Sequence, residues 1–165
     1  MMPPAVRKYL ISALAGLPDV AERLLKDLSS DDSRWDFRPD PTRFTLREVV
    51  AHLADWEPIN LERVQRMLTE ENPTLPDIDE GKLAIENDYA HSDPHGSLEW
   101  IRGGRLKFVQ ELQTIDPVNW SRTGIRESVG PLTVETFATL VAAHDGYHTR
   151  QIAQWLTQAE SGHDG

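Results

Sequence analysis

The 165-residue chain contains no cysteine. It can therefore form no disulfide, no thiolate metal site and no cysteine nucleophile. The absence also suits a reducing compartment, so we expect a cytoplasmic protein. The first ten residues, MMPPAVRKYL, have no long apolar stretch after their positive charges and are not typical of a secretory signal peptide.

Long apolar runs and positive charges are also scarce. No run reaches the ~18 apolar residues that a membrane-spanning helix needs, so we expect no membrane segment. The chain has 17 Lys and Arg residues against 27 Asp and Glu residues, which gives a formal net charge of −10. Such a charge repels phosphate backbones and no basic stripe compensates for it, which argues against nucleic-acid binding.

Strand signals are scarce too, because no stretch alternates cleanly between apolar and polar residues between hairpin turns. Helical periodicity dominates instead, and the length fits one domain over residues 1–165. The sequence therefore predicts an all-α fold, a four-helix bundle. Its helices are predicted at residues 4–28, 45–69, 97–112 and 133–158.

Local signals mark ends and bends in these helices. Thr45 and Glu48 form a capping box, which should start the second helix. Pro18 should kink or break the first helix and Pro58 should bend the second, because proline lacks a backbone donor.

The apolar residues recur at helical spacing, which predicts the helix faces that meet in the core. The predicted inner set of the third helix is Leu98, Ile101, Leu106, Phe108, Val109 and Leu112. The predicted inner stripe of the fourth helix is Phe137, Leu140, Val141, Ile152 and Trp155.

Two long connections separate the predicted helices. Residues 71–96 join the second helix to the third and contain a short predicted helix near residues 82–89. So long a connection indicates a crossover, which would place those two helices parallel. Residues 114–132 form the other connection. Gly103 and Gly104 lie inside the third helix, where each costs up to ~1 kcal/mol, so we expect close packing or a ligand beside them.

His144 and His148 lie four residues apart on the fourth helix, so their side chains share one face. That face is the apolar stripe, and both imidazoles should point into the core. Unpaired buried polar groups cost ~1–3 kcal/mol each, and a shared metal ion would remove that cost. The alternative is that each imidazole is hydrogen-bonded to a neighbouring helix.

His52, on the second helix, is a third candidate ligand. The helical wheel places it at the flank of the apolar stripe, where it could face the fourth helix. Three protein ligands leave one coordination position open, as in catalytic zinc sites. Neutral imidazoles suit zinc, nickel, cobalt or iron, and we expect a divalent metal, zinc or nickel first. The remaining histidines, His91, His95 and His163, lie in predicted loops or the tail and are interpreted as surface groups.

Residues 144–148, His-Asp-Gly-Tyr-His, have the spacing of the metalloprotease motif H-E-x-x-H. Asp145 stands in place of the glutamate, and its shorter side chain would have to reach a metal-bound water differently. We therefore do not favour a protease.

Several stretches resemble the DinB-like superfamily of damage-inducible bacterial proteins and thiol-dependent transferases. They are residues 38–57, 116–120, 130–133 and 143–152, and the resemblance covers most of the chain. The last stretch contains the family's closing pattern, H-x-x-x-H-x-x-Q-I, in full.

The resemblance implies a four-helix bundle with up-down-down-up connectivity. It also implies a metal held by one histidine of the second helix and two of the fourth, which correspond to His52, His144 and His148. Family members commonly form dimers, so a homodimer is implied. Two residues depart from the family: Phe44 stands where many relatives have tryptophan, and Pro58 is unusual and could reposition His52.

The resemblance further implies an enzyme. Relatives transfer or isomerise groups with a low-molecular-weight thiol such as bacillithiol or mycothiol, and others are regarded as metal-dependent hydrolases. A bound metal would lower the pKa of a water or thiol, whose anion would attack a small-molecule substrate. Because the chain has no cysteine, any thiol must come from a cosubstrate.

Three polar side chains are candidate catalytic residues. Asp55 lies one turn from His52 and Asp145 is next to His144, so either carboxylate could serve as a base. Gln151 could hydrogen-bond a ligand or a substrate. Each could instead be an ordinary group on a solvated helix face. Two other hypotheses stay open: a non-catalytic, metal-binding stress-response protein, and a bundle that binds no metal.

Overall fold

The computed structural model describes residues 2–161, which form six α-helices and a small three-stranded sheet. The helices are α1 (Pro4–Ala15), α2 (Leu17–Leu25), α3 (Leu46–Thr69), α4 (Glu80–Glu86), α5 (Pro94–Thr114) and α6 (Val134–Ser161). The strands are β1 (Thr74–Leu75), β2 (Thr123–Arg126) and β3 (Gly130–Thr133). His163 lies outside the described residues. None of the helices in this part of the chain combines the length and apolarity that a membrane crossing requires.

The long helices form the bundle. The pair α1–α2 packs against α5 and α6, and α3 packs against the same two helices. The pair replaces the single predicted first helix, because the chain breaks at Gly16. Pro18 follows in the first turn of α2, where its missing donor costs nothing. The up-down-down-up order and the parallel placement of the middle helices stay predictions.

Helix α3 begins as predicted. The Thr45 side chain accepts from the Glu48 backbone N–H at 3.2 Å, and the Thr45 N–H donates to Glu48 Oε2 at 2.8 Å. This reciprocal capping satisfies two amides that the first turn leaves unpaired. The helix continues through Pro58, which lies exposed, so α3 carries His52 in an unbroken segment.

The sheet corrects the all-α prediction. Strand β1 pairs parallel to β2, and β2 pairs antiparallel to β3, with Thr123 opposite Thr133 and Arg126 opposite Gly130. Two- and four-residue strands are too short to show a measurable alternation of apolar and polar residues. The hairpin lies in the segment predicted as a loop, and Pro131 is tolerated because β3 is an edge strand.

Two of the predicted core residues are wrong. Leu106 is 59% exposed on α5, and Leu140 is 38% exposed on α6. The inward positions belong instead to charged residues, Arg105 on α5 and Asp145 on α6, which are 2% and 7% exposed. A sequence pattern that treats charged residues as exposed therefore selects Leu106 instead of its neighbour Arg105 and leaves Asp145 out of the core.

A buried ion cluster joins these helices. The Arg105 guanidinium donates to Glu57 Oε1 on α3 at 2.7 Å, to Asp145 on α6, and to the Leu14 carbonyl on α1 at 3.0 Å. Gly104 permits this approach, because a Cβ there would lie 2.4 Å from the Glu57 Cβ. The close packing expected beside this glycine is thus confirmed, while a Cβ at Gly103 would meet nothing within 4 Å.

Candidate metal centre

Three histidine rings meet between α3 and α6. The His52 Nε2 and His148 Nε2 atoms each lie 3.1 Å from His144 Nε2. The three ligand atoms lie within 4.8 Å of one another. His52 and His148 are buried, whereas His144 is partly exposed. The helical wheel placed His52 at the flank of its stripe, but it is 0% exposed.

Burial keeps these rings neutral. Burial, followed by repulsion from His148 and His144, lowers the pKa of His52 to about 2. The pKa of His148 falls to about 3, through burial and then His144. The pKa of His144 falls to about 4, through burial followed by the charges of Arg105 and Arg126. All three rings are therefore uncharged near pH 7, the form in which imidazole binds a metal.

Gln151 fixes the proton of His148. The Gln151 Nε2 donates to the Phe44 carbonyl at 3.2 Å, so its Oε1 must face His148 Nδ1, at 3.2 Å. An amide oxygen only accepts, and His148 therefore carries its proton on Nδ1. This leaves a free lone pair on His148 Nε2, directed at the point where the three rings meet.

Trp56 sets the opposite tautomer at His52. Its indole Nε1 donates to His52 Nδ1 at 3.1 Å, so a neutral His52 carries its proton on Nε2. That proton can be donated to His144 Nε2, but then His144 and His148 face each other with two lone pairs. If His144 Nε2 carries a proton instead, it opposes the proton of His52. Hydrogen bonds alone thus satisfy one of the two contacts.

A divalent cation fits this donor set. Ligand nitrogens at about 2.1 Å from a tetrahedral zinc lie about 3.4 Å apart, and a 90° arrangement brings them to about 3.0 Å. The two Nε2–Nε2 distances to His144, 3.1 Å each, fall within that range, and all three ligand atoms lie within 4.8 Å of one another. Metal binding through His52 Nε2 requires that ring to release its Nε2 proton or to leave the Trp56 indole. The residues present therefore match a three-nitrogen site.

The sequence profile of the DinB superfamily matches residues 7–152. The chain belongs to the DinB superfamily. A relative from Oceanobacillus iheyensis, named "Putative metal-dependent hydrolase", is 25% identical over 86% of this chain and 81% of its own length. YfiT of Bacillus subtilis, which carries the same descriptive name, is 27% identical over 74% of this chain and 70% of its own length.

A solved structure of YfiT shows the same fold. Its TM-score is 0.89 at 23% sequence identity, over 97% of this chain and 91% of YfiT. Its description is that of a probable metal-dependent hydrolase with an unusual four-helix bundle topology. The likeness confirms the four-helix bundle for this DinB-superfamily chain.

The three candidate catalytic residues lie in different surroundings. Gln151 touches a candidate metal ligand, His148, as described above. Asp145 is not solvated, because it belongs to the buried Arg105 cluster. Asp55 accepts from the Tyr89 hydroxyl at 2.8 Å and from Asn87 Nδ2 at 2.6 Å. Asp55 and Asp145 therefore hold structural contacts in this DinB-superfamily bundle.

Two cavities adjoin the histidines. The outer cavity measures about 460 Å³ and the inner one about 140 Å³, and His144 lines both. The outer cavity is also lined by Thr42, Arg43, Phe44, Glu80, Gly81, Tyr147, His148 and Gln151. The inner cavity is also lined by Trp56, Asn60, Arg63, Glu80, Arg126, Phe137, Leu140 and Val141. The open side of the His144 ring thus faces enough space for a small molecule.

Glu80 was missed by the sequence analysis. Among the described residues, it is the only carboxylate that lines either cavity, and it lines both. Desolvation by the surrounding protein raises its pKa, although Arg126 opposes that rise and the residue as a whole is exposed. It begins α4, within the connection predicted to cross the bundle, and no local motif there signals a site. Only the packing of α4 over α3 brings this carboxylate to the histidines.

Proposed function

We propose that this DinB-superfamily chain is a metal-dependent hydrolase whose divalent ion, zinc or nickel, is held by His52, His144 and His148. One observation carries the proposal: three neutral Nε2 atoms converge beside cavities of about 460 and 140 Å³. The names of the relatives from Oceanobacillus iheyensis and Bacillus subtilis support it. Three ligands leave a position open for a reacting molecule, as catalytic sites require.

The bound ion would lower the pKa of a water molecule so that its anion exists near neutral pH. The chain's own residues supply the rest. Gln151 keeps the lone pair of His148 Nε2 directed at the site. Glu80 accepts the proton of the attacking nucleophile and returns it to the leaving group, because among the described residues it is the carboxylate that lines both cavities.

Transfer of a low-molecular-weight thiol is the second candidate function. The outer cavity of about 460 Å³ has room for a cosubstrate beside His144 and His148. Arg43 lies there with its guanidinium over the rings of Trp155 and Tyr147, at 4.5 and 5.2 Å. The chain has no cysteine, so the thiol would be a separate molecule. A homodimer and a cytoplasmic location belong to this proposal as expectations.

A panel of activated esters and amides, and of thiol adducts, separates these functions. Metal-loaded protein should hydrolyse members of the first group without a thiol if it is a hydrolase. Turnover that requires an added thiol would favour the transferase. If metal raises the melting temperature but neither group turns over, the protein is a non-catalytic metal binder.

Glu80→Gln tests the assigned base. We expect kcat to fall by about 10²–10⁴-fold, because the glutamine amide cannot accept the proton. The metal content should stay unchanged, since Glu80 is not a ligand. Glu86→Gln, an exposed glutamate on the same helix, is the control. Full activity in Glu80→Gln would refute the role of this carboxylate.

A further inference from the structure

Arg63, which lines the inner cavity, carries a buried donor that no group of the described residues satisfies. Arg63 on α3 is 4% exposed, and its NH2 group donates to the Pro76 carbonyl at 2.7 Å. Its NH1 group is buried and has no hydrogen-bond partner among the described residues. A buried N–H without an acceptor is costly, particularly on a charged group.

Further polar groups face the same space. Arg126 lines the cavity, with its Nε paired to Asp77 Oδ1 at 2.8 Å. Asn60, 4% exposed, also lines it, and its side chain forms no hydrogen bond with another described residue. Burial, followed by the charge of Arg126, lowers the pKa of Arg63. The wall of Arg63, Arg126 and Asn60 therefore offers donors to a group that is not part of the protein.

We infer that Arg63, Arg126 and Asn60 form a subsite for the carboxylate of a monoanionic substrate, with the bond to be broken lying toward His144. The inference names a substrate class for the proposed hydrolase and rests on that function only for the position of the reaction. Planar guanidinium groups match the two oxygens of a carboxylate. The apolar part of the lining, formed by Trp56, Phe137, Leu140 and Val141, suits a short apolar body.

The charges favour one negative charge over two. Arg63 and Arg126 contribute two positive charges, and two carboxylates oppose them: Asp77, paired with Arg126, and Glu80, which lines both cavities. The lining therefore has no surplus positive charge, and a phosphate monoester would add about −1.5 to −2 charges at neutral pH. A carboxylate adds only one negative charge, and the unpaired NH1 group of Arg63 can donate to it.

Binding of propanoate to the metal-free full chain tests the subsite, because no metal can then hold the carboxylate. Binding is followed by NMR of the indole N–H groups, and the chain has only five tryptophans, so these signals are few. Trp56 lines the cavity, and the Arg63 guanidinium lies 5.1 Å from its ring, so its indole signal reports on occupancy. Trp56→Phe assigns that signal.

We expect propanoate to shift the Trp56 signal saturably, with an affinity at least about tenfold weaker in Arg63→Gln, because a charged hydrogen bond is lost. Arg150→Gln, an exposed arginine of α6, should bind like the parent. The inference would be overturned if propanamide bound as tightly as propanoate, or if inorganic phosphate bound more tightly than propanoate. An unchanged propanoate affinity in Arg63→Gln would also overturn it. If Arg63→Gln does not fold, Arg126→Gln replaces it with the same expectation. Metal content is measured separately, so loss of the proposed function and loss of this subsite are distinguishable.

Discussion

At the scale of single residues, the proton on each imidazole decides what the centre can bind. Gln151 is held by the Phe44 carbonyl, and it orients His148 through its side-chain oxygen. The contact uses the backbone carbonyl of Phe44, so it does not depend on which side chain stands at that position. Loss of such an outer partner typically weakens metal binding by about 10–100-fold.

Gln151→Leu should therefore weaken zinc binding by about 10–100-fold, because His148 loses the acceptor that fixes its tautomer. Competition with a chelator of known affinity measures the change. Gln154→Leu, an exposed glutamine on the same helix, is the matched control and should bind zinc like the parent. Equal affinities in the two variants would show that Gln151 does not position the ligand.

At the scale of helices, the Arg105 cluster ties α1, α3, α5 and α6 together directly beside the histidines. Both of its carboxylates, Glu57 and Asp145, are almost fully buried. Burial raises the pKa of Glu57, and only its contacts with Arg105 oppose that rise. The cluster sets how α3 and α6 lie, and hence the spacing of His52 and His144.

Arg105→Met should lower the free energy of unfolding by about 3–5 kcal/mol, because it leaves two buried carboxylates without a partner. Chemical denaturation measures this loss. Arg102→Met, one turn earlier on α5, removes an exposed arginine paired with Asp19 and Glu22 and should cost less than about 1 kcal/mol. Similar losses in both variants would mean that the buried cluster contributes no more than a surface pair.

Much of the helical scaffold could be predicted from the sequence, because its signals are local. The capping box at Thr45 and the i,i+4 spacing of His144 and His148 depend on neighbouring residues only. The hairpin, Glu80 and the inward-facing Arg105 depend on partners distant in sequence. A single sequence contains no information on those pairings until the helices are placed.

At the scale of the whole molecule, an acidic surface encloses a neutral, buried histidine cluster. The pKa of each of the three rings is lowered from 6.5 on folding. Between the lowered values and 6.5, the unfolded chain binds more protons than the folded chain, so stability rises with pH in that interval. This histidine contribution to the free energy of unfolding is fully present above about pH 6.5.

Metal-free protein should thus lose stability as the pH falls below about 6.5, by up to about 1.4 kcal/mol per pH unit for each histidine. Urea denaturation at pH 7.5, 6.0 and 5.0 measures this dependence. His144→Leu/His148→Leu should show a shallower dependence, since two of the three rings are gone. The same slope in parent and variant would contradict the assigned burial effect.

The metal content of the untagged protein tests the centre most directly. Mass spectrometry should find about one zinc or nickel ion per chain in the parent, because three converging imidazoles form one site. His144→Ala/His148→Ala should contain none, while Asp55→Ala, which removes a carboxylate outside the site, should retain the ion. A parent protein that contains no metal, and takes up neither zinc nor nickel when they are added, would contradict the three-histidine metal centre.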